Sequence, residues 1–391
     1  MTALTSAKQA SLKFVVLIGV VSLFADVTYE GARSITGPYL ALLGASGAVV
    51  GIVAGLGEFV GYGLRLVSGY LSDRTKGYWP IIIVGYFINL LSVPLLALTH
   101  AWQSAAALMI LERTGKAIRN PPRDAILSHA TQEIGHGWGF GLHEALDQTG
   151  AMIGPLVVSA VLYLNGSYRE GFAVLLVPAG LALLVLLATR FVYPNPQDLE
   201  KISSDLETKE LSRRYWLYLG ASGLIAAGYV DFPLIAYHFA KSQLAPAPDW
   251  IPILYAIAMG ADALAALVLG RLFDRVGLPL LVGTVLVCAF FPALVFFGGF
   301  QIAMLGMILW GIGMGVQESI MRAVIADMVS ADRRATAYGI FNGGFGVFWL
   351  LGSALMGVLY DRSIFALTVF SMLAQLASLP LFLLIKKGGH D

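Results

Sequence analysis

Long runs of apolar residues constrain this chain more than any other feature of its sequence. A helix needs about 20 mainly apolar residues to cross the hydrocarbon core of a membrane. Across the chain 58% of residues are hydrophobic and 13% are charged, whereas soluble domains carry about 25% charged residues. We count twelve candidate spans, at 13–42, 47–71, 79–99, 103–128, 138–163, 169–193, 215–240, 250–273, 278–298, 301–328, 335–360 and 364–385.

These runs predict an all-α, multi-pass membrane protein and exclude a soluble enzyme. The net charge of +1 gives no basic field for nucleic acid, so we expect no nucleic-acid partner. Cys288 is the single cysteine, which leaves no internal disulfide and no thiolate metal cage. The composition therefore predicts that the protein lies in a lipid bilayer.

Lysine and arginine residues in the predicted loops indicate which side of the membrane each loop faces, because such residues are enriched in cytoplasmic loops. With the N-terminus inside, fifteen face the cytoplasm and three face outward. The inside set is Lys8, Lys13, Arg74, Lys76, Arg190, Lys201, Lys209, Arg213, Arg214, Arg271, Arg275, Arg333, Arg334, Lys386 and Lys387, and the outside set is Arg169, Lys241 and Arg362. We therefore predict an inner (plasma) membrane protein with both termini in the cytoplasm.

A polar stretch from Tyr193 to Tyr215 divides the twelve runs into six and six. Its charged composition is typical of a solvated linker. The sequence thus predicts an N-terminal six-helix bundle at 1–193, a cytoplasmic linker at 194–214 and a C-terminal six-helix bundle at 215–391.

The two predicted halves repeat each other in sequence. A G-x-x-x-D-R turn follows the second run of each half, and the two copies lie 201 residues apart. The repeated positions are Gly69, Asp73 and Arg74 in the first half and Gly270, Asp274 and Arg275 in the second. An aspartate at a helix end can meet the N-terminus of a neighbouring helix, so we predict that these turns act as gates; the alternative is that they only anchor helix ends.

On these residues the chain resembles the major facilitator superfamily (MFS). Arg113 matches the buried arginine of that family's fourth-helix motif. The segment Gly141-x8-Gly150-x3-Gly154-Pro155 is similar to the fifth-helix motif of its exporters, with Val158 in place of the last glycine. The resemblance implies two parallel six-helix bundles that give alternating access to a central site, no cofactor and no enzymatic activity.

Ionisable residues within the first run are candidate functional groups, because charge is costly at membrane depth. Asp26, Tyr29, Glu30 and Arg33 share one helical face. Two carboxylates against one base leave one carboxylate without its obvious partner, and desolvation favours the protonated form of such a group. We predict that Asp26 or Glu30 carries a proton; the alternative is a static salt bridge.

The fourth and fifth runs add further charges that must be neutralised. Arg119 and Arg123 are predicted to snorkel towards the cytoplasmic surface, while deeper cations need acids or an anionic ligand. With Asp26 and Glu30, the predicted proton-coupling set includes Arg113, Glu144 and Asp147. The predicted substrate-binding set is Tyr29, Arg33, Glu58, Lys116, His143, Asp231, Tyr237, His238, Gln317, Glu318 and Arg322.

These features favour a secondary transporter, since the chain has no nucleotide-binding G-x-x-x-x-G-K-[ST] motif. Our leading interpretation is proton-coupled efflux, by antiport, of a small organic compound by a monomer. One alternative is symport of an organic anion and another is transport of a metal cation. An intramembrane protease is disfavoured because Asp147 stands where H-E-x-x-H requires its second histidine, and a channel because no filter repeat is present.

Overall fold

The computed structural model describes residues 2–75, 77–131, 136–164, 166–194, 211–317, 321–328 and 334–387, and all their regular secondary structure is helical. The helices are α1 (Thr2–Leu42), α2 (Gly47–Thr75), α3 (Tyr78–Leu95), a 3-10 turn (Leu96–Leu98), α4 (Trp102–Thr131), α5 (His136–Tyr163), α6 (Tyr168–Val174), α7 (Leu176–Val192), α8 (Arg213–Gly228), α9 (Phe232–Lys241), α10 (Trp250–Val276), α11 (Leu278–Cys288), α12 (Phe291–Phe297), α13 (Phe300–Gly315), α14 (Met321–Met328), α15 (Arg334–Arg362) and α16 (Ile364–Lys387).

The described parts of the twelve predicted runs fall on these helices, some on one helix and some on a consecutive pair. Within the described ranges, ten helical segments are long and apolar enough to cross a membrane. The predicted all-α membrane architecture is therefore confirmed. Helix α4 is not among the ten, because its middle carries a dense series of charges.

The chain packs into two compact units. Unit 1 comprises Met1–Arg33 and Gly63–Ser203, and unit 2 comprises Ser34–Tyr62 and Ser204–Asp391. The C-terminal part of α1 and the N-terminal part of α2 thus pack with the helices of unit 2. The greater part of the predicted linker lies outside the described residues.

Polar contacts hold the 34–62 segment within unit 2. The Asp361 carboxylate, at the end of α15, accepts hydrogen bonds from the backbone N–H groups of Gly47 and Ala48, each at 2.8 Å. The Tyr237 hydroxyl donates to the carbonyl oxygen of Ala45 at 3.1 Å. Two of the free backbone donors in the first turn of α2 are therefore satisfied by a residue from a distant helix.

Both units contain the same close contact between two helices. A Cβ at Gly154 would overlap the carbonyl oxygen of Val27, and a Cβ at Gly352 would overlap that of Ala227. Small residues of this kind let helix backbones approach closely in membranes. Helix α5 thus packs on α1 as α15 packs on α8, which agrees with the sequence repeat.

The apolar core of unit 1 lies where α1, α3, α4 and α7 meet. It includes Phe14, Trp79 and Tyr86, all buried. The Trp79 indole donates to the Tyr193 carbonyl oxygen at 3.0 Å, so the end of α7 is tied to the start of α3.

Unit 2 contains a break between α8 and α9 that interrupts a predicted continuous span. The carbonyl oxygen of Gly228 accepts from the Ser371 hydroxyl and from Gln375 Nε2. The Trp310 indole donates to the Val230 carbonyl oxygen at 2.9 Å. A broken helix is tolerated at membrane depth when neighbouring helices satisfy the freed backbone groups, and these side chains do so.

Candidate functional site

The charged face of α1 lies inside unit 1, as the sequence predicts. Asp26, Tyr29, Glu30 and Arg33 are all buried. Arg33 Nη1 donates to the Tyr29 hydroxyl at 3.2 Å. These four residues form the first wall of a polar cluster that α4 and α5 complete.

Arg119 on α4 is the main cationic neighbour of Asp26. Its Nη2 lies 4.0 Å from Asp26 Oδ1, and its guanidinium carbon lies 4.2 Å from the Tyr86 ring centroid. The side chain is entirely buried, and its three guanidinium nitrogens have no hydrogen-bond partner among the described residues. Asp26 also interacts electrostatically with Asp147 and Lys116.

The prediction that Arg119 and Arg123 snorkel to the surface is wrong. A Cβ at Gly85 would lie 2.7 Å from the backbone nitrogen of Arg119, so α3 and α4 touch at this position and bury the arginine beneath Tyr86. Arg123 is also buried, and it forms an ion pair with the exposed Asp124 at 2.8 Å.

Two cations of α4 lie against the Tyr29 ring. Lys116 Nζ is 3.6 Å from the ring centroid and the Arg113 guanidinium carbon is 4.8 Å from it. Arg113 Nε lies 3.7 Å from Glu112 Oε2, and Glu112 accepts from Asn89 Nδ2 at 2.5 Å. Glu112 is a site residue that the predicted sets omitted, although its spacing of four from Lys116 and seven from Arg119 places these residues on one helical face.

His143 on α5 closes the cluster. Its Nε2 lies 2.9 Å from the Ser22 hydroxyl oxygen, which also accepts from Arg123 Nη1 at 3.2 Å. Asp147, one turn along α5, interacts electrostatically with Arg123 and His143. Glu144 is exposed and accepts from Gln148, so of the predicted α5 residues it alone points out of this cluster.

The described cluster balances its charges when every member is ionised. Five cations face five carboxylates across α1, α4 and α5. The cations are Arg33, Arg113, Lys116, Arg119 and Arg123, and the carboxylates are Asp26, Glu30, Glu112, Asp124 and Asp147. Asp124 is exposed and the other nine are buried or half-buried, so binding or release of one proton changes by one the net charge of a largely buried group.

Several predicted site residues of unit 2 contact other residues of the same unit, and their role in substrate binding stays a prediction. The Asp231 carboxylate caps α9 by accepting from the Phe232 backbone N–H at 2.9 Å. His238 Nδ1 lies 3.1 Å from the Tyr360 hydroxyl, and Tyr237 binds the Ala45 carbonyl. Glu58 is half-buried on α2 within unit 2. Glu318 and the Arg322 side chain lie outside the described residues.

Gln317 instead borders a narrow cleft within unit 2 that is partly open to solvent. The cleft is lined by Tyr62, Met314, Gln317, Phe341, Asn342, Phe345 and Trp349. Sequence patterns did not single out Tyr62, Met314 or Asn342. The signal that the sequence did carry was Phe341, Phe345 and Trp349 at four-residue spacing, which is more often a packing stripe.

The predicted gating turns lie at helix ends. Arg74 is exposed and its Nη1 donates to the Tyr70 hydroxyl at 3.3 Å, while Arg275 is exposed at the end of α10. A Cβ at Gly69 would lie 3.5 Å from the Cβ of Pro121, and a Cβ at Gly270 would have open space around it. The side chains of Asp73 and Asp274 lie outside the described residues, so the gating role stays a prediction.

We found no group of three His, Cys, Asp or Glu side chains that could hold a metal ion in the described part of the chain.

Comparison with known proteins gives a consistent result. The sequence profile of the Major Facilitator Superfamily matches residues 18–316 and 225–389. An uncharacterized protein of Mycobacterium tuberculosis is 42% identical over 381 residues, which cover 96% of this chain and 93% of that protein. The multidrug resistance protein MdtH of Proteus mirabilis is 27% identical over 225 residues, covering 55% of this chain and 53% of MdtH.

Solved structures share the fold. A mutant of the nucleoside transporter NupG superimposes with a TM-score of 0.76 at 15% identity, covering 94% of this chain and 100% of NupG. At that identity the likeness concerns the fold alone.

Proposed function

The chain belongs to the Major Facilitator Superfamily, and on that premise we propose that it is a proton-coupled secondary transporter that exports a small organic compound across the inner membrane. In this proposal two six-helix bundles, residues 1–193 and 215–391, alternate around a central site. Both termini lie in the cytoplasm, the protein acts as a monomer, and it needs no cofactor.

The observation that carries the proposal is the buried pairing of Asp26 with Arg119 at 4.0 Å, within electrostatic reach of Asp147. Two carboxylates that share nearby cations can exchange one proton at modest cost, because each ionised form is stabilised by the same charges. Protonation of Asp26 removes its attraction for Arg119 and raises the net charge of the cluster by one. The two protonation states therefore favour different arrangements of α1 and α4, which is what coupling requires.

The export direction is supported by the fifth-helix glycines and by the similarity to MdtH, a multidrug resistance protein. Gly154 lets α5 pack directly on the backbone of α1 at Val27. This contact packs α5, which carries Asp147 and the exporter-like glycines, against α1, which carries Asp26. The exporter-like motif and the proposed proton site therefore lie on the same pair of helices.

The test uses purified protein in liposomes that contain a trapped pH dye, with a panel of aromatic, anionic and cationic compounds. A compound gradient should drive protons in the opposite direction, and Asp26→Asn should reduce this movement to that of empty liposomes. Asp249→Asn is the matched control, since Asp249 makes no side-chain cap bond at the start of α10. Full proton movement in Asp26→Asn and in Asp147→Asn would contradict the coupling assignment.

A second candidate function is uptake of an organic anion by proton symport. The observation that favours it is the set of three cations around Tyr29, namely Arg33, Arg113 and Lys116. The same liposomes separate the two candidates, because symport moves protons in the direction of the anion and antiport moves them against the exported compound.

A further inference from the structure

We propose that Glu112 on α4 is a second proton-binding residue, held by Asn89 of α3 in both its ionised and its protonated form. This inference rests on the proposed function, because it adds a second proton to the cycle in which Asp26 carries the first. The arrangement links the second proton to the charge of Arg113, which lies against Tyr29.

Glu112 lies deep within unit 1. It follows Trp102, the first residue of α4, by ten residues, which is about 15 Å of helix or half the thickness of a hydrocarbon core of about 30 Å. Its side chain is buried. An ionised carboxylate in such a place needs compensating charges or hydrogen bonds, whereas a protonated carboxyl costs less to bury.

An uncharged amide holds the Glu112 carboxyl. Asn89 Nδ2 donates to Glu112 Oε1 at 2.5 Å and to the Glu112 backbone carbonyl oxygen at 3.2 Å. Oε1 accepts this bond in either form, because a protonated carboxyl keeps one oxygen free of the proton. The position of Asn89 is fixed by close packing of α3 on α4, since a Cβ at Gly115 would overlap the Asn89 backbone nitrogen.

Among the described residues, Arg113 is the one cation within 4.0 Å of the Glu112 carboxylate. Its Nε lies 3.7 Å from Oε2, which is too far for a hydrogen bond, and its guanidinium carbon lies 4.8 Å from the Tyr29 ring centroid. A proton on Oε2 therefore breaks a loose ion pair and no charge-assisted hydrogen bond. Protonation releases Arg113 from this pair and raises the net positive charge beside Tyr29.

Three further charged groups interact electrostatically with Glu112, namely Lys116 and Arg119 on α4 and Glu30 on α1. The two cations favour the ionised form of Glu112, and the Glu30 carboxylate favours the protonated form. Helix α3 contributes the neutral amide of Asn89 to this contact. Opposing charges and an amide that accommodates both forms let Glu112 gain or lose a proton without a change of partner.

The test is infrared spectroscopy of the purified full-length protein in lipid while the pH is varied, because a protonated carboxyl has a C=O stretch that a carboxylate lacks. We expect a C=O band that grows as the pH falls and that Glu112→Gln removes. Glutamine keeps the shape of the side chain and still accepts from Asn89. Asp249→Asn is the control and should leave this band in place, because Asp249 lies at the start of α10 in unit 2.

A second variant tests the role of the amide. Asn89→Leu removes the donor at similar volume, and a hydrogen bond stabilises an ionised acceptor about twice as much as a neutral one. The midpoint of the Glu112 band should therefore move to higher pH by about one unit. Ser92→Ala on the same helix is the control and should leave the midpoint unchanged, because the Ser92 hydroxyl donates to the Ile88 carbonyl oxygen of α3 itself.

Three outcomes overturn the inference: every C=O band of the wild type persists in Glu112→Gln, the band that this variant removes is constant at every pH, or Asn89→Leu leaves the midpoint of that band unchanged. Failure of the proposed function has a different signature. In that case the Glu112 band titrates as described, yet no compound drives protons across the liposome membrane.

Discussion

Units 1 and 2 have equivalent helix contacts, but unit 1 buries charged side chains and unit 2 buries aromatic ones. In unit 1, α4 places charged side chains against α1 and α5. In unit 2, the corresponding α13 contributes Trp310 among aromatic neighbours, and Gln317 follows two residues after its end. Gly154 and Gly352 make equivalent backbone contacts in the two units. The comparison teaches that the backbone packing of glycines sets the scaffold, while the side chains between the helices are free to differ in polarity.

Burial has a different meaning in the two units. A buried aromatic ring is stabilised by its own transfer from water, whereas a buried charge is tolerated only when other charges or hydrogen bonds compensate it. The charged unit should therefore be sensitive to the loss of single partners, and the aromatic unit to the loss of fit.

The largest effect should come from breaking the buried ion pair of unit 1. Arg119→Leu leaves Asp26 as a buried carboxylate that has lost its arginine, so we expect the free energy of unfolding in detergent micelles to fall by about 3–5 kcal/mol. Thermal denaturation measures the loss. The double variant Asp26→Leu, Arg119→Leu should recover most of it.

If Arg119→Leu lowers the free energy of unfolding by less than about 1 kcal/mol, the pair contributes no more than a surface ion pair does. That result would mean that water reaches this pair, and the contrast between a charged interior and an aromatic interior would no longer hold.

Next in size are the equivalent glycines. Gly154→Val and Gly352→Val each force a side chain against a backbone carbonyl, and such overpacking costs about 1–3 kcal/mol. The two losses should be similar when measured by the same denaturation. Gly343→Val is the control with open space around it, and clearly unequal losses at the two glycines would break the structural equivalence of the units.

The smallest effects should separate two buried histidines. Tyr360→Phe removes the hydroxyl beside His238, and Ser22→Ala removes the hydroxyl beside His143. Each should lower the free energy of unfolding by about 0.5–1.5 kcal/mol. Only Ser22→Ala should also slow proton movement in liposomes, because it alone alters the charged cluster; slowed movement in Tyr360→Phe would contradict this division.

The helices were predictable because the twelve apolar runs are long and the repeat is regular. The break between α8 and α9 was not, since the groups that satisfy it, Trp310, Ser371 and Gln375, come from α13 and α16. No local pattern around Val230 records those partners.

Part of the site was predictable from the spacing of residues along single helices. Helical spacing placed Asp26, Tyr29, Glu30 and Arg33 on one face, and all four are buried. Spacing along α4 could not predict whether Arg119 is buried, because its burial depends on how closely α3 approaches α4 at Gly85. Tyr62 joins the cleft from a helix distant in sequence, which periodicity within α15 does not reveal.

The bond from Asp361 to the first turn of α2 has a consequence for how the molecule is made. Gly47 and Asp361 are separated by 314 residues, and at about 5–20 residues per second a ribosome needs tens of seconds to pass between them. During that interval α2 has emerged while the carboxylate that holds its start does not yet exist. Assembly of α2 is therefore complete only after α15 has been synthesised. Chains truncated before α15 should accumulate as incompletely assembled protein.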